Sequence, residues 1–140
     1  MQDDMEYSKS KLALIQLERA IELFFEDKDY VCSITLAGAS EDITRGMERR
    51  GGLSTAVGDL EDWLKANHPN SDLLHGFYKK ANETRNMLKH FSVCGESHVF
   101  VGIDEAKYWL IRALINYDRS HAVLTKPMFE LISWIKQENA

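Results

Sequence analysis

Turn-forming residues are scarce in this chain. Two prolines and eight glycines among 140 residues are too few for an all-β fold, which needs a turn roughly every 8–12 residues. Cysteine is scarcer still. Cys32 and Cys94 cannot build a disulfide framework, and no Cys/His quartet is present to hold structural zinc, so both thiols are expected to stay reduced. No segment approaches the roughly 18 uninterrupted apolar residues of a membrane span, and no membrane partner is expected. Positive charge is also short. With 22 acidic against 17 basic residues and a net charge of −5, no global field draws polyanions in, and any polyanion must be held at a local basic site. The opening Met1-Gln2-Asp3-Asp4-Met5-Glu6 lacks the basic start and apolar run of a signal peptide, which favours a cytoplasmic location.

What the chain does have is helical periodicity. At 44% hydrophobic content it can bury one core and is too short for two ordinary domains, so residues 1–140 are expected to form a single helical-bundle domain. The segment from Tyr7 to Asp27 sets Leu14, Leu17, Ile21 and Phe24 at three- and four-residue spacing, a single buried stripe. Beyond Lys28-Asp29, the segment from Asp29 to Arg50 repeats the pattern with Leu36, Ser40, Ile43 and Met47 and stops at Gly51-Gly52. The short turn between them makes an antiparallel hairpin. Inside the second helix, Ala37-Gly38-Ala39-Ser40 is small enough to let another helix backbone approach closely.

A shorter helix is predicted from Ser54 to Ala66, ended by Asn67-His68-Pro69-Asn70, with Asn70 or Ser71 capping the next helix. The segment from Ser71 to Phe91 puts Leu74, Tyr78, Ala81 and Leu88 on one stripe, with Arg85 in its middle. Lys79, Glu83, Asn86 and His90 form a neighbouring polar stripe. Residues 92–103 have no helical period and read as a loop. Asp104 is predicted to cap a helix with Ala106, Leu110, Ala113 and Tyr117 on one side. Thr125 opens a last helix that buries Met128, Leu131, Ile132 and Ile135. The expected fold is therefore all-α, a bundle of four principal helices with one or two short ones.

One stretch carries candidate chemistry: Asn82-Glu83-Thr84-Arg85-Asn86-Met87-Leu88-Lys89-His90-Phe91. Arg85 and His90 are spaced as Arg-x4-His, with a polar residue, Asn86, directly after the arginine. This resembles the motif of the HEPN family (higher eukaryotes and prokaryotes nucleotide-binding), which lies on a late helix of an all-helical bundle. The resemblance covers most of the chain in architecture and about ten residues in motif. It implies a metal-independent endoribonuclease of the toxin or defence type, without a cofactor, working as a homodimer whose paired motif helices form a shared cleft and held in check by an antitoxin-type protein partner. The alternative is a non-catalytic HEPN-like module that binds a nucleotide, an RNA or a protein partner through the same cleft.

The residue types suit phosphate chemistry. His90 can take the ribose 2′-hydroxyl proton or protonate the leaving 5′-oxygen, Arg85 can grip the phosphate, and Asn86 can orient the phosphate or the imidazole. Five residues of helix turn a side chain by about 140°, so Arg85 and His90 of one helix do not converge on a small target, whereas Asn86 and His90 do. Partner subunits would bring the first pair together. An arginine centred on an apolar stripe is also easier to understand at such an interface than in a closed core.

Glu41 on the second helix is a further candidate, facing Arg85 or the imidazole as related bundles suggest, or else pairing with Arg45 one turn on. Lys79, Lys80 and Lys89 can add phosphate contacts or form a solvated face. Cys94 and His98 supply too few donors for a metal site, and Trp63, Trp109 and Trp134 occupy apolar helix stripes suited to core packing.

Overall fold

The computed structural model describes residues 4–50, 72–90, 98–120 and 122–138, the side chains at 49 and 72–78 excepted. Five α-helices and no strand occur among them: α1 (Lys9–Glu22), α2 (Tyr30–Arg50), α3 (Asp72–Lys89), α4 (Ile103–Arg119) and α5 (Lys126–Glu138). The fold is an all-α helical bundle, as expected. The helix predicted from Ser54 to Ala66, the caps at Asn70 and Ser71, and the first half of the predicted loop lie outside the described residues. No helix among those described is long and apolar enough to cross a membrane.

Helix α1 starts at Ser8, whose hydroxyl accepts from the Lys11 N–H at 3.1 Å. Its apolar stripe buries Leu17, Ile21 and Phe24, with Leu14 packed at the edge. A π-helical turn, Leu23–Asp27, continues the chain and ends at Lys28 in the left-handed conformation (φ 51°). The Asp29 carboxylate then accepts from the Cys32 N–H at 3.0 Å, which caps α2 and closes the hairpin.

Small residues set the α1–α2 spacing. Ser33 and Ser40, two turns apart on α2, donate their hydroxyls to the carbonyls of Ala20 (2.9 Å) and Ala13 (2.8 Å) on α1. Ala13, Ala20 and Ala37 are fully buried between them. Side chains this short let one helix hydrogen-bond to the backbone of the other.

The buried face of α2 differs from the predicted one. Of Leu36, Ser40, Ile43 and Met47, only Ser40 is buried, whereas Ser33, Ile34, Ala37, Glu41, Thr44 and Glu48 are inside. The face is rotated by about one residue from the apolar pattern, and more than half of it is polar. Ser33, Ser40 and Glu41 are buried because other helices supply partners, a relation that local periodicity does not contain, while Thr44 bonds back to carbonyls of its own helix.

Helix α4 runs through the middle and contacts α1, α2 and α3. Ala106, Leu110, Ala113 and Tyr117 are all buried, as predicted. Its N-cap is Gly102, not Asp104: the Gly102 N–H donates to Glu105 Oε2 at 3.2 Å, and Asp104 sits in the first turn, where its charge suits the helix dipole. Thr125 directly precedes α5, which buries Met128 and Leu131 fully and Ile132 and Ile135 in part. Trp134 stacks edge-on with Phe24 and Phe25 at 5.3 and 5.4 Å. Helix α3 is fastened to α4 by the Trp109 indole N–H, which donates to the Ala81 carbonyl at 3.1 Å.

Candidate functional site

Three helices contribute to one cavity of about 510 Å³. It is lined by Asp42 and Arg45 from α2, Asn82, Arg85, Asn86 and Lys89 from α3, and Trp109 and Arg112 from α4. The α3 residues recur at three- and four-residue intervals, so they share one side of the helix. Arg85, Asn86 and Lys89, singled out from the sequence, thus meet at one place.

Arg85 is buried, and its charge is compensated within its own chain. Its Nη2 donates to Asp42 Oδ2 at 2.7 Å, and its guanidinium lies over the Trp109 ring at 5.3 Å. The stem passes directly over Gly38: a methyl carbon built there would fall 1.8 Å from Nε. The small run on α2 thus admits the Arg85 side chain as well as the α1 backbone. Because Asp42 neutralises it, burial of Arg85 gives no support by itself to the interface expected from the sequence. Arg85 Nε meets no acceptor among the described residues.

Glu41 does not pair with Arg85. Fully buried, it accepts through Oε1 from Arg112 Nε at 3.0 Å and from Asn116 Nδ2 at 2.9 Å. Its Oε2 lies 3.7 Å from Arg45 Nη1, the one-turn pairing considered from sequence, but no hydrogen bond reaches that oxygen among the described residues. Arg112 is held on several further sides. Its Nη1 donates to Asn82 Oδ1 (3.1 Å) and to the Tyr108 hydroxyl (3.4 Å), and its Cζ lies 4.6 Å from the Trp109 ring centre. Burial opposes the Arg112 charge, and the Glu41 carboxylate and the Tyr108 hydroxyl together outweigh it, so the guanidinium pKa is raised. Arg112 carries its charge at every physiological pH.

Arg45 completes the cationic lining and donates to Asp42 Oδ1 at 2.7 Å. Asp42 therefore gives one oxygen to each of two guanidiniums. Lys89 lines the cavity and has no ion-pair partner among the described residues. His90 stands apart. Its backbone N–H closes the last turn on the Asn86 carbonyl at 3.0 Å, and its side chain is exposed and does not line the cavity. Lys79 is exposed outside the cavity, and Lys80 pairs with Glu105 at 3.4 Å.

Sequence reasoning missed Asp42, Asn82 and Arg112. A signal existed for Arg112: Glu105, Trp109, Arg112 and Asn116 form a helical stripe beside the apolar one, and all four are buried. A polar and aromatic stripe next to an apolar stripe marks a face that meets polar partners. Among the described residues no group of three or more His, Cys, Asp or Glu could hold a metal ion. The site as built consists of cations arranged around one partly exposed carboxylate, on a rigid, hydrogen-bonded base. No family model, curated protein or solved structure matches this chain, so its site is read from its own geometry.

Proposed function

We propose that this chain is a HEPN-like module that binds phosphate groups of RNA or of a nucleotide in the cleft between α2, α3 and α4. The lining of that cleft carries the reading: three guanidiniums, one ammonium and two carboxamides in a chain whose net charge is −5. A molecule that repels polyanions at long range needs concentrated local cations to hold one. Arginine forks match phosphate oxygens, lysine adds a point charge, and carboxamide N–H groups donate. Arg112 is fixed by Glu41, Asn82 and Trp109 before any ligand arrives, so little ordering cost falls on binding.

Fluorescence anisotropy with a short single-stranded RNA tests this. The wild type should bind with an affinity that falls as salt rises, and Arg85→Ala should lose most of it. A wild type that leaves the RNA free at low salt ends the proposal.

A second reading, RNA cleavage, is supported by the position of His90, exposed at the end of α3 directly after Lys89. There a second copy, paired through α3, can offer its imidazole to a neighbouring cleft. The 2′-oxygen would attack the adjacent phosphorus as its proton passes to His90. The bond to the 5′-oxygen would break, with that oxygen taking a proton from water and His90 returning its own to solvent, and a 2′,3′-cyclic phosphate and a 5′-hydroxyl would remain. Arg85 would stabilise the charge gained by the phosphate. Such a toxin-like enzyme would need an antitoxin-type partner. A mixed RNA panel in EDTA should be cut by the wild type and not by His90→Ala, at equal helicity and oligomeric state. Uncut RNA with wild type removes catalysis and leaves binding standing.

A further inference from the structure

Asp42 occupies the position a ligand anion would take. Its two oxygens receive Arg45 Nη2 and Arg85 Nη2, each at 2.7 Å, the convergence of two forks on one oxyanion by which arginines clamp phosphate. Unlike Glu41, which is fully buried, the Asp42 side chain is 38% exposed at the cavity. Its side chain can reach water while an incoming anion takes over its two guanidinium partners, whereas Glu41 cannot leave Arg112 and Asn116 without stranding buried polar groups. The two carboxylates therefore differ in role: Glu41 fixes the floor, and Asp42 is an exchangeable counterion.

The charge of the cleft points to the class of ligand. Arg45, Arg85, Arg112 and Lys89 set four positive charges against the carboxylates of Asp42 and Glu41, leaving an excess of two. A phosphodiester carries one negative charge and two free oxygens. A phosphomonoester carries nearly two charges near neutral pH, with three acceptor oxygens. The aromatic ring at the site does not offer a stacking face to a base, because Trp109 is only 2% exposed and both Arg85 and Arg112 lie over its ring. Among the described residues lining the cleft, the groups free to meet a ligand therefore suit a phosphate and not a base face.

We infer that the preferred ligand of the cleft is a phosphomonoester dianion, a terminal phosphate, taken up in exchange for the Asp42 carboxylate. This rests on the phosphate-binding reading above and narrows it. The group is shared by a free nucleoside monophosphate and by a phosphorylated RNA end, and the two are separated by titration.

The test is calorimetric, on the full chain near neutral pH, with a trinucleotide RNA carrying either a 5′-phosphate or a 5′-hydroxyl. The phosphorylated RNA should bind about tenfold or more tighter, as expected for one added charge among partly buried cations. Equal affinities for the two RNAs overturn the inference while leaving phosphate binding intact. Failure of both to bind overturns that reading as well. Nucleoside monophosphates with different bases should bind alike, and a strong preference for one base overturns recognition by phosphate alone. Asp42→Asn should tighten orthophosphate binding several-fold, because the resident anion is gone. Weaker binding by a folded Asp42→Asn, with Asp42→Ser agreeing, overturns the exchange. The comparison of the two RNAs uses the wild type only and does not depend on how any variant folds.

Discussion

Arg85 of α3 occupies the volume that any side chain at Gly38 of α2 would need: a methyl carbon there would lie 1.8 Å from its Nε and 2.5 Å from its Cδ. In an open helix interior, glycine to alanine gains up to about 1 kcal/mol of helix propensity. Here the sign reverses, because the guanidinium would have to leave Asp42 and Trp109. Gly38→Ala should lose about 1–3 kcal/mol in urea denaturation and should weaken phosphate binding. Gly46 on the same helix has nothing within 4 Å of such a carbon. Gly46→Ala is the control, and it should be neutral or stabilising.

Removing the charge of Glu41 tests the floor of the cleft. Glu41→Gln would leave Arg112 buried without its carboxylate, a change that costs about 3–5 kcal/mol for buried pairs. The double variant Glu41→Gln with Arg112→Met should regain much of that loss, because neither charge then remains inside. Thermal unfolding of the single and double variants gives the coupling. A fully additive result would show that the two residues do not act as a pair.

Acid should loosen the start of α2. The Cys32 N–H and side chain, both bonded to Asp29, hold the Asp29 carboxyl below the usual carboxylate range, and the same contact raises the Cys32 thiol pKa. A depressed carboxyl stabilises the fold above its unfolded value, about 3.9, and this contribution is lost as pH falls through the folded value. Asn at the same cap keeps an acceptor and does not titrate. The wild type should exceed Asp29→Asn in stability at neutral pH, and the gap should begin to shrink near about pH 4 and close below the folded value. A gap independent of pH would remove the ionised cap as its cause.

Helix positions were legible in the sequence because the signals that set them are local. Ser8 and Asp29 cap α1 and α2 from one turn away, and the stripes Leu17, Ile21, Phe24 and Ala106, Leu110, Ala113, Tyr117 point inward at the spacing a helix imposes. Apart from Ser40, the buried face of α2 was not legible, because Ser33, Glu41 and Thr44 are held inside by groups on other helices or on their own backbone. At the site the pattern was similar. Arg85, Asn86 and Lys89 lie on one helix and could be read together, whereas Asp42 and Arg112 join them only through tertiary structure. At α4, aspartate is a favoured cap residue, yet Glu105 reaching back to the Gly102 N–H moves the start two residues earlier.

The serine bonds between α1 and α2 also order events in time. They join residues 13 and 27 positions apart, whereas the bonds that tie α2 to α3 and α4 across the cleft span 43 to 75 positions. Closing a short loop loses less chain entropy, so the hairpin can form while the cleft is still open. Stopped-flow measurements should find Ser40→Ala acting mainly on the folding rate and Glu41→Gln mainly on the unfolding rate. A nascent chain would then carry the cleft residues in an unassembled form until α4 docks, and an early-folding hairpin would already be in place to receive it.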